Sequence, residues 1–117
     1  MPAREAHIAQ ARRNAALIPV QDPDWTIVVA FYAALHLIEA YWAESGVHLQ
    51  NHRARNDAIR TVSVFSAVQR RYLTLYEKSR TARYDCRPFV REQAEEAIRF
   101  LYEPFRAHLC ALLEITL

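Results

Sequence analysis

The sequence predicts a single all-α domain that folds as a helical bundle. Its 117 residues are 52% hydrophobic and 24% charged, which is typical of a globular domain with one core. The chain contains one glycine, Gly46, whereas a β-rich protein of this length spends several glycines on tight turns and bulges. Alanine, leucine, arginine and glutamate, all good helix formers, dominate the composition. No linker or repeat divides the chain, so residues 1–117 are expected to form one domain.

The first helix is expected from about Ala3 to Leu17. It should end at the Ile18-Pro19 pair, because proline pushes the residue before it out of the α-helical region. Residues 1–21 therefore provide an N-terminal helix and a connection to the next helix.

The second helix has a strong start signal in Asp22-Pro23-Asp24. Aspartate caps a helix, proline suits the first helical position, and a further acid stabilises the positive end of the helix dipole. We expect this helix to run from Pro23 to about Ser45, with Gly46 as its C-terminal stop.

The second helix is also long and apolar enough to span a bilayer, since residues 25–43 carry one formal charge, Glu39. However, His36 and Glu39 lie in its middle, it has no basic cytoplasmic flank, and no other segment looks embedded in a membrane. These features favour a central helix that is surrounded by its neighbours.

Two further helices are expected after the glycine. Residues 51–62 form a short polar helix, and Ser66-Ala67-Val68-Gln69 fits a capping box that opens a fourth helix through Tyr84. The residues of the fourth helix that share one face at helical spacing are Val68, Tyr72, Leu75, Tyr76 and Ser79.

The last helix is expected to begin at Arg87-Pro88 and to be long. Its residues at core spacing are Ala94, Ala97, Ile98, Leu101, Phe105, Leu109, Leu112 and Leu113. Pro104 lies inside this pattern, so a kink or a break is expected near residues 101–102. Five helices with short connections make a bundle.

Charge is unevenly distributed along the chain. Residues 1–49 carry a net charge of −2, residues 50–91 carry +7, and residues 92–117 carry −3. A basic middle segment attracts a polyanion, and it also pairs with acidic segments of the same fold or of a second subunit. Pairing within the fold or a dimer is the favoured interpretation.

The cysteines, the N-terminal segment and the single glycine indicate where the protein is located and whether it binds a cofactor. Cys86 and Cys110 have no metal-like spacing, and free thiols in a reducing compartment are the default for such a pair. The N-terminus shows no signal-peptide pattern, which favours the cytoplasm. With one glycine, the chain lacks a phosphate-cradling loop and a dinucleotide fingerprint, so no cofactor is expected.

The central helix carries a polar edge of Tyr32, His36 and Glu39, spaced i, i+4 and i+7. A buried imidazole beside a carboxylate can shuttle a proton or donate a hydrogen bond to an anion, which makes these three residues the catalytic candidates. The alternative is a hydrogen-bonded polar group inside the bundle that fixes helix register. This structural interpretation is favoured.

A pair of histidines, His48 and His52, has the i, i+4 spacing of two metal ligands on one helix. They are expected to straddle a loop and a helix start, and no third ligand lies nearby in the sequence. No metal site is therefore expected.

A possible anion-binding strip is formed by Arg80, Arg83 and Arg87, with Tyr84 beside them. Asp85 and the proline after Arg87 indicate that the helix ends before Arg87. The competing interpretation is a solvated face or ion pairs to the glutamates at positions 92, 95 and 96.

The order of these features resembles the HEPN family. The segment Phe31–His36, then Gly46, then His52 at a helix start, follows that family's order. Residues Ser79–Tyr84 resemble its Arg-x-x-Ala-Asp-Tyr stretch, and a Glu/Ala-rich final helix follows. The resemblance covers about Asp22 to Leu113.

This resemblance implies an antiparallel helical bundle that is usually a homodimer. Family members include RNA-cleaving toxins, partners of small nucleotidyltransferases, and noncatalytic modules associated with nucleotides or RNA. The residues at the family's motif positions are Tyr32, His36, His52, Arg80 and Tyr84. Arg83 departs from the pattern, because an aspartate is expected at that position.

The cleaving members share an Arg-x(4–6)-His motif. No histidine of this chain has an arginine five to seven positions upstream, which disfavours the ribonuclease version. The leading hypothesis is therefore a noncatalytic HEPN-like module that dimerises and binds a nucleotide, RNA or a partner protein. Its expected ligand contacts are Arg80, Arg83 and Tyr84, with His52 and His36 nearby. The alternatives are a metal-independent enzyme that acts on RNA or nucleotides through His36, and a purely structural dimerisation subunit.

Overall fold

The computed structural model describes residues 2–20 and 22–117, and all regular structure in them is helical. The elements are α1 (Arg4–Leu17), a 3-10 helix (Ile18–Val20), α2 (Pro23–Ala43), α3 (His52–Thr61), a 3-10 helix (Ser63–Phe65), α4 (Gln69–Tyr84), α5 (Arg91–Ala97), a π-helical turn (Ile98–Tyr102) and α6 (Glu103–Leu113). Because α5, the π turn and α6 follow one another without interruption, the described residues form a bundle of five helices. The all-α prediction is confirmed.

Helix α2 is the centre of the bundle and packs against α1, α4, α5 and α6. Twelve of its residues are buried, among them Phe31, Leu37 and Ile38, which have no exposed surface. It is the one helix in the described part of the chain that is long and apolar enough to cross a membrane. Its neighbours bury 67% of its apolar window, as expected for a core helix.

The helix start expected from the capping aspartate is confirmed for α2, and α3 begins in the same way at a polar cap that was not predicted. The Asp22 carboxylate accepts a hydrogen bond of 2.9 Å from the Trp25 N–H, and the Asn51 side chain accepts one of 2.9 Å from the Ala54 N–H. Helix α2 ends at Ala43, two residues before the expected position, and Gly46 follows in the left-handed region with φ +70°.

Helix α1 ends at Leu17 as predicted, but two details of the predicted helix ends are wrong. Ile18 keeps α-helical angles of φ −52° and ψ −50° despite the following proline, because the chain tightens into a 3-10 turn there. Ser66 does not open a capping box, since its N–H donates to the Ser63 carbonyl at 3.0 Å. Helix α4 begins only at Gln69, after a 3-10 turn that is anchored by the buried Phe65.

The start of the last helix at Arg87-Pro88 is also wrong, because α5 begins at Arg91. The Phe89 N–H donates to the Asp24 carboxylate at 2.8 Å, and the Val90 N–H donates to the Gln93 side chain at 2.9 Å. These bonds hold the connection extended and tie it to the start of α2.

Pro104 distorts the last helix without breaking it. A proline nitrogen cannot donate to the carbonyl four residues earlier, which here belongs to Phe100. The five residues Ile98–Tyr102 form a π turn at this point, and Arg71 Nη1 of α4 donates to the Phe100 carbonyl at 2.8 Å. The helix continues through Leu113, with Phe105 and Leu109 fully buried as the spacing predicts.

Candidate functional site

Arg83, near the C-terminus of α4, is held in a fixed position by contacts with α2 and with its own helix. Its Nη1 donates to the Tyr32 hydroxyl at 2.9 Å, and its Nε donates to the Ser79 carbonyl at 3.2 Å. The guanidinium also lies over the rings of Phe31 and Tyr84, at 5.9 Å and 5.1 Å from their centres. No carboxylate pairs with it among the described residues, so its positive charge is both positioned and uncompensated.

His52 brings a second polar group to the same place. As the first residue of α3, it packs its ring against Phe31 and Tyr76, at centre distances of 5.7 Å and 5.2 Å. Burial lowers the pKa of His52, and the positive charges of Arg55, Arg83 and Arg80 lower it further. The imidazole is therefore neutral at pH 7.

The tautomer of His52 follows from its neighbour Arg55. Arg55 Nη2 lies 3.4 Å from His52 Nδ1, and an arginine can only donate. Nδ1 therefore accepts, and the ring proton sits on Nε2. We call the group Phe31, Tyr32, His52, Tyr76 and Arg83 the Arg83 cluster. It contains one fixed cation and two further donors, the Tyr32 hydroxyl and the His52 Nε2–H.

The other members of the predicted anion-binding strip are exposed and are not held by neighbouring helices. The Arg80 side chain is 55% exposed and lies 3.8 Å from Glu77, one helical turn away. Tyr84 is 68% exposed, and α4 ends at that residue. Arg87 lies beyond the helix and is 3.8 Å from Asp85. The ion pairs expected with Glu92, Glu95 and Glu96 do not occur in the part of the chain that the structure describes.

The main partner of Glu39 is a guanidinium and not the His36 imidazole. Arg55 Nη1 donates to Glu39 Oε1 at 2.7 Å and to the Leu49 carbonyl at 3.2 Å. Both side chains are largely buried, with 3% of Glu39 and 11% of Arg55 exposed. His48 Nδ1 lies 3.7 Å from the other carboxylate oxygen, Oε2.

Sequence reasoning did not single out Arg55. A signal was nonetheless present, since positions 52, 55, 56 and 59 share one face of α3 and Asn56 and Ile59 are buried there. An arginine on the buried face of a short helix needs an anionic partner, and Glu39 was the one acid within the central apolar helix.

His36 lies against His7 of α1, a residue that the sequence pattern did not indicate. Its Nδ1 lies 3.0 Å from His7 Nδ1, and the two rings stack at a centre distance of 5.3 Å. The pKa of His36 is lowered to about 4, mainly by burial and next by the nearby His7, whose effect exceeds the opposing effect of Glu39. No hydrogen bond or ring contact joins His36 to the Arg83 cluster within residues 2–20 and 22–117.

The two histidines with the spacing of metal ligands, His48 and His52, lie partly in a loop and partly in a helix. No group of three or more histidine, cysteine, aspartate or glutamate side chains within the described residues is arranged to hold a metal ion. His48 lies in the loop before α3, whereas His52 is in the helix. Cys86 is exposed and Cys110 is buried, and both are free thiols.

Comparison of the chain with known proteins gives no significant similarity to a protein-family model, a curated protein or a solved structure. The resemblance to the HEPN family therefore stays a prediction that rests on the order of the motif residues.

Proposed function

We propose that this protein is a noncatalytic, HEPN-like helical module of the cytoplasm that dimerises and binds the phosphate of a nucleotide or of RNA at the Arg83 cluster. The observation that carries the proposal is the fixed Arg83 guanidinium, which has no carboxylate partner among the described residues. A guanidinium whose position is already fixed loses little side-chain entropy when it binds phosphate.

The groups around Arg83 fit the rest of such a ligand. The Tyr32 hydroxyl accepts from Arg83, so its own proton remains for a phosphate oxygen. Arg80, whose positive charge helps to lower the pKa of His52, adds positive charge near the cluster, and exposed cations strengthen attraction at low salt. The exposed ring of Tyr84 offers a face on which a base can stack.

The noncatalytic part of the proposal rests on the missing Arg-x(4–6)-His motif, and the low pKa of His36 supports it. A histidine with a pKa of about 4 is a weak proton acceptor at neutral pH. If metal-free protein turns over RNA or nucleotides, and His36→Gln abolishes that turnover, the alternative enzymatic function replaces this proposal.

The binding site is tested by titrating adenosine triphosphate and a short single-stranded RNA into the protein at low salt. Arg83→Gln should weaken binding of at least one probe about tenfold or more, because it removes a charge-assisted hydrogen bond that contributes about 1.5–3 kcal/mol. The matched control is Arg99→Gln, which removes an equal charge from the exposed π turn and should leave binding within about twofold. Tyr32→Phe serves as a milder second variant if Arg83→Gln is poorly folded.

Two results would contradict the site. One is the absence of binding of both probes at low salt, where phosphate contacts are strongest. The other is an equal loss of affinity in Arg83→Gln and Arg99→Gln, which would indicate nonspecific attraction by net charge. Binding of neither probe, together with capture of a nucleotidyltransferase-like protein, would shift the function toward the partner role.

The homodimer is supported by large apolar side chains that the monomer leaves exposed at the start of α2 and before α5. Trp25 is 55% exposed and Val90 is 59% exposed. Trp25 follows Asp24 and Val90 follows Phe89 in the chain, and the hydrogen bond from the Phe89 N–H to the Asp24 carboxylate joins these two segments. Tyr41 and Trp42, near the other end of α2, are partly buried against the core and do not belong to this exposed surface.

We expect light scattering to give the mass of a dimer, because burying both side chains removes apolar surface from water. The double substitution Trp25→Ser and Val90→Ser should yield a monomer. Phe100→Ser, which changes an exposed aromatic residue on the π turn, should leave the dimer intact. A monodisperse monomer of the unaltered chain at high concentration would contradict the dimer and leave the phosphate site untouched.

A further inference from the structure

His52 is the histidine of the Arg83 cluster, and histidine is the residue whose charge changes most readily near neutral pH. The half-buried ring packs against Phe31 of α2 and Tyr76 of α4, which carry no charge. Its Nδ1 faces Arg55, whereas Nε2 has no hydrogen-bond partner in the described part of the chain and is not enclosed there. One ring nitrogen is therefore open to a ligand.

The charged side chains that act on this imidazole are all positive. Arg55 lies on the same helix, and Arg83 and Arg80 lie on α4. Burial lowers the pKa of the imidazole most, and these three cations lower it further. Arg55 pairs with Glu39 at 2.7 Å. Arg80 lies 3.8 Å from Glu77. Of the three cations, Arg83 alone has no carboxylate partner among the described residues, so one uncompensated positive charge lies near a neutral imidazole.

The donors of the Arg83 cluster match the terminal oxygens of a phosphate monoester. Arg83 Nη2 makes no hydrogen bond within residues 2–20 and 22–117, and the Tyr32 hydroxyl keeps its proton after it accepts from Arg83 Nη1. The His52 Nε2–H is the third donor group. A monoester has three terminal oxygens, whereas a diester has two, because a second ester bond occupies the other oxygen. A diester therefore leaves one of the donor groups without a partner.

The charge of the ligand leads to the same preference. A phosphate monoester carries about −1.5 to −2 charges at pH 7, whereas a phosphodiester carries about −1. Arg83 balances one of these charges. The second charge of a monoester favours the protonated form of a nearby imidazole, because an opposite charge stabilises the charged form. A diester has no second charge and leaves the imidazole neutral.

We propose that the Arg83 cluster prefers a terminal phosphate monoester and that His52 takes up a proton as this ligand binds. This inference rests on the phosphate-binding function proposed above, and it names the kind of phosphate that the site selects. The phosphate of a free nucleotide and the phosphorylated 5′ end of an RNA chain share this chemistry. Because the proton comes from solvent, binding should strengthen as the pH falls toward 7.

Adenosine 5′-monophosphate and its methyl ester test the preference, because they share the nucleoside and differ in the second charge. In calorimetry at low salt and pH 7.5, the monophosphate should bind at least about tenfold more tightly than the methyl ester. Its affinity should be about three- to tenfold higher at pH 7 than at pH 8. Paired measurements in two buffers of different ionisation enthalpy should show proton uptake.

A short single-stranded RNA with a 5′-phosphate and the same RNA with a 5′-hydroxyl distinguish the two sources of the monoester. Tighter binding of the phosphorylated RNA would identify an RNA end as the ligand. A preference for the monophosphate over its methyl ester, without a preference between the two RNAs, would identify a free nucleotide.

His52→Gln keeps a neutral N–H but cannot take up a proton. It should abolish the proton uptake and bring the affinities for the monophosphate and its methyl ester within about twofold of each other. The matched control is His108→Gln, which removes a histidine that is bonded to the Val64 carbonyl outside the cluster and should keep both properties. If His52→Gln is poorly folded, an NMR titration of His52 in the unaltered protein replaces it. The midpoint of His52 should rise by at least about one pH unit when the monophosphate is bound.

Equal affinities for the monophosphate and its methyl ester, or proton uptake that persists in His52→Gln, would overturn this inference. The phosphate site itself would stand in that case if Arg83→Gln weakened the binding of both ligands about tenfold. Absence of binding of the monophosphate and of both RNAs at low salt would overturn the phosphate site and this inference together.

Discussion

Replacing Arg55 with leucine is expected to lower the free energy of unfolding by about 3–5 kcal/mol, because it leaves the buried Glu39 carboxylate without its cation. The Glu39–Arg55 pair is almost fully enclosed, and its 2.7 Å hydrogen bond joins α2 to α3. The loss of Arg55 also removes a donor from the Leu49 carbonyl in the connection between these helices. Urea denaturation at neutral pH measures the change.

The matched control for this prediction lies in the same helix. Arg60 pairs with Asp57 at 3.4 Å, but the two side chains are 55% and 63% exposed, so Arg60→Leu should change stability by less than about 1 kcal/mol. Combining Arg55→Leu with Glu39→Leu should recover much of the loss, since an apolar pair replaces the buried ions. Equal effects of Arg55→Leu and Arg60→Leu would show that the buried pair does not stabilise the fold.

The sequence predicts the helices better than the turns between them. The central helix follows from local features, namely a capping aspartate, an apolar run and one glycine. The wrong starts of α4 and the last helix have nonlocal causes. Phe65 is fully buried in the core, and Phe89 bonds to Asp24, which lies 65 residues earlier in the chain. Such long-range contacts leave no periodic signal in the sequence.

The candidate site shows the same division between local and nonlocal information. Helical spacing correctly places Tyr32, His36 and Glu39 along one side of α2, but it does not say what each side chain meets. The structure separates their roles, since Tyr32 contacts Arg83, Glu39 pairs with Arg55 and His36 faces His7. These partners come from three other helices, so no spacing rule within α2 identifies them.

The protein is expected to lose stability as the pH falls from about 6.5 toward 4 because of His36. Its pKa is about 4 in the folded protein and near 6.5 in the unfolded chain, so within this window the unfolded chain binds a proton that the folded protein excludes. The difference between the two pKa values corresponds to a loss of at most about 3 kcal/mol in the free energy of unfolding. Partial exposure of the ring reduces the expected loss to about 1–3 kcal/mol. His7, whose pKa is also lowered by burial, acts in the same direction.

Burial is the main reason why His36 excludes the proton, and the groups around it contribute the rest. His7 of α1 lies against it, and Arg55 and Arg13 add positive charge, whereas Glu39 alone favours the charged imidazole. Urea denaturation between pH 7.5 and 5 should therefore show a smaller loss of stability in His36→Gln than in the unaltered protein. His108→Gln, which changes a histidine bonded to the Val64 carbonyl, should keep the full loss. An NMR titration that places the midpoint of His36 near 6.5 would contradict this account, because the stacked pair would then accept a proton without cost.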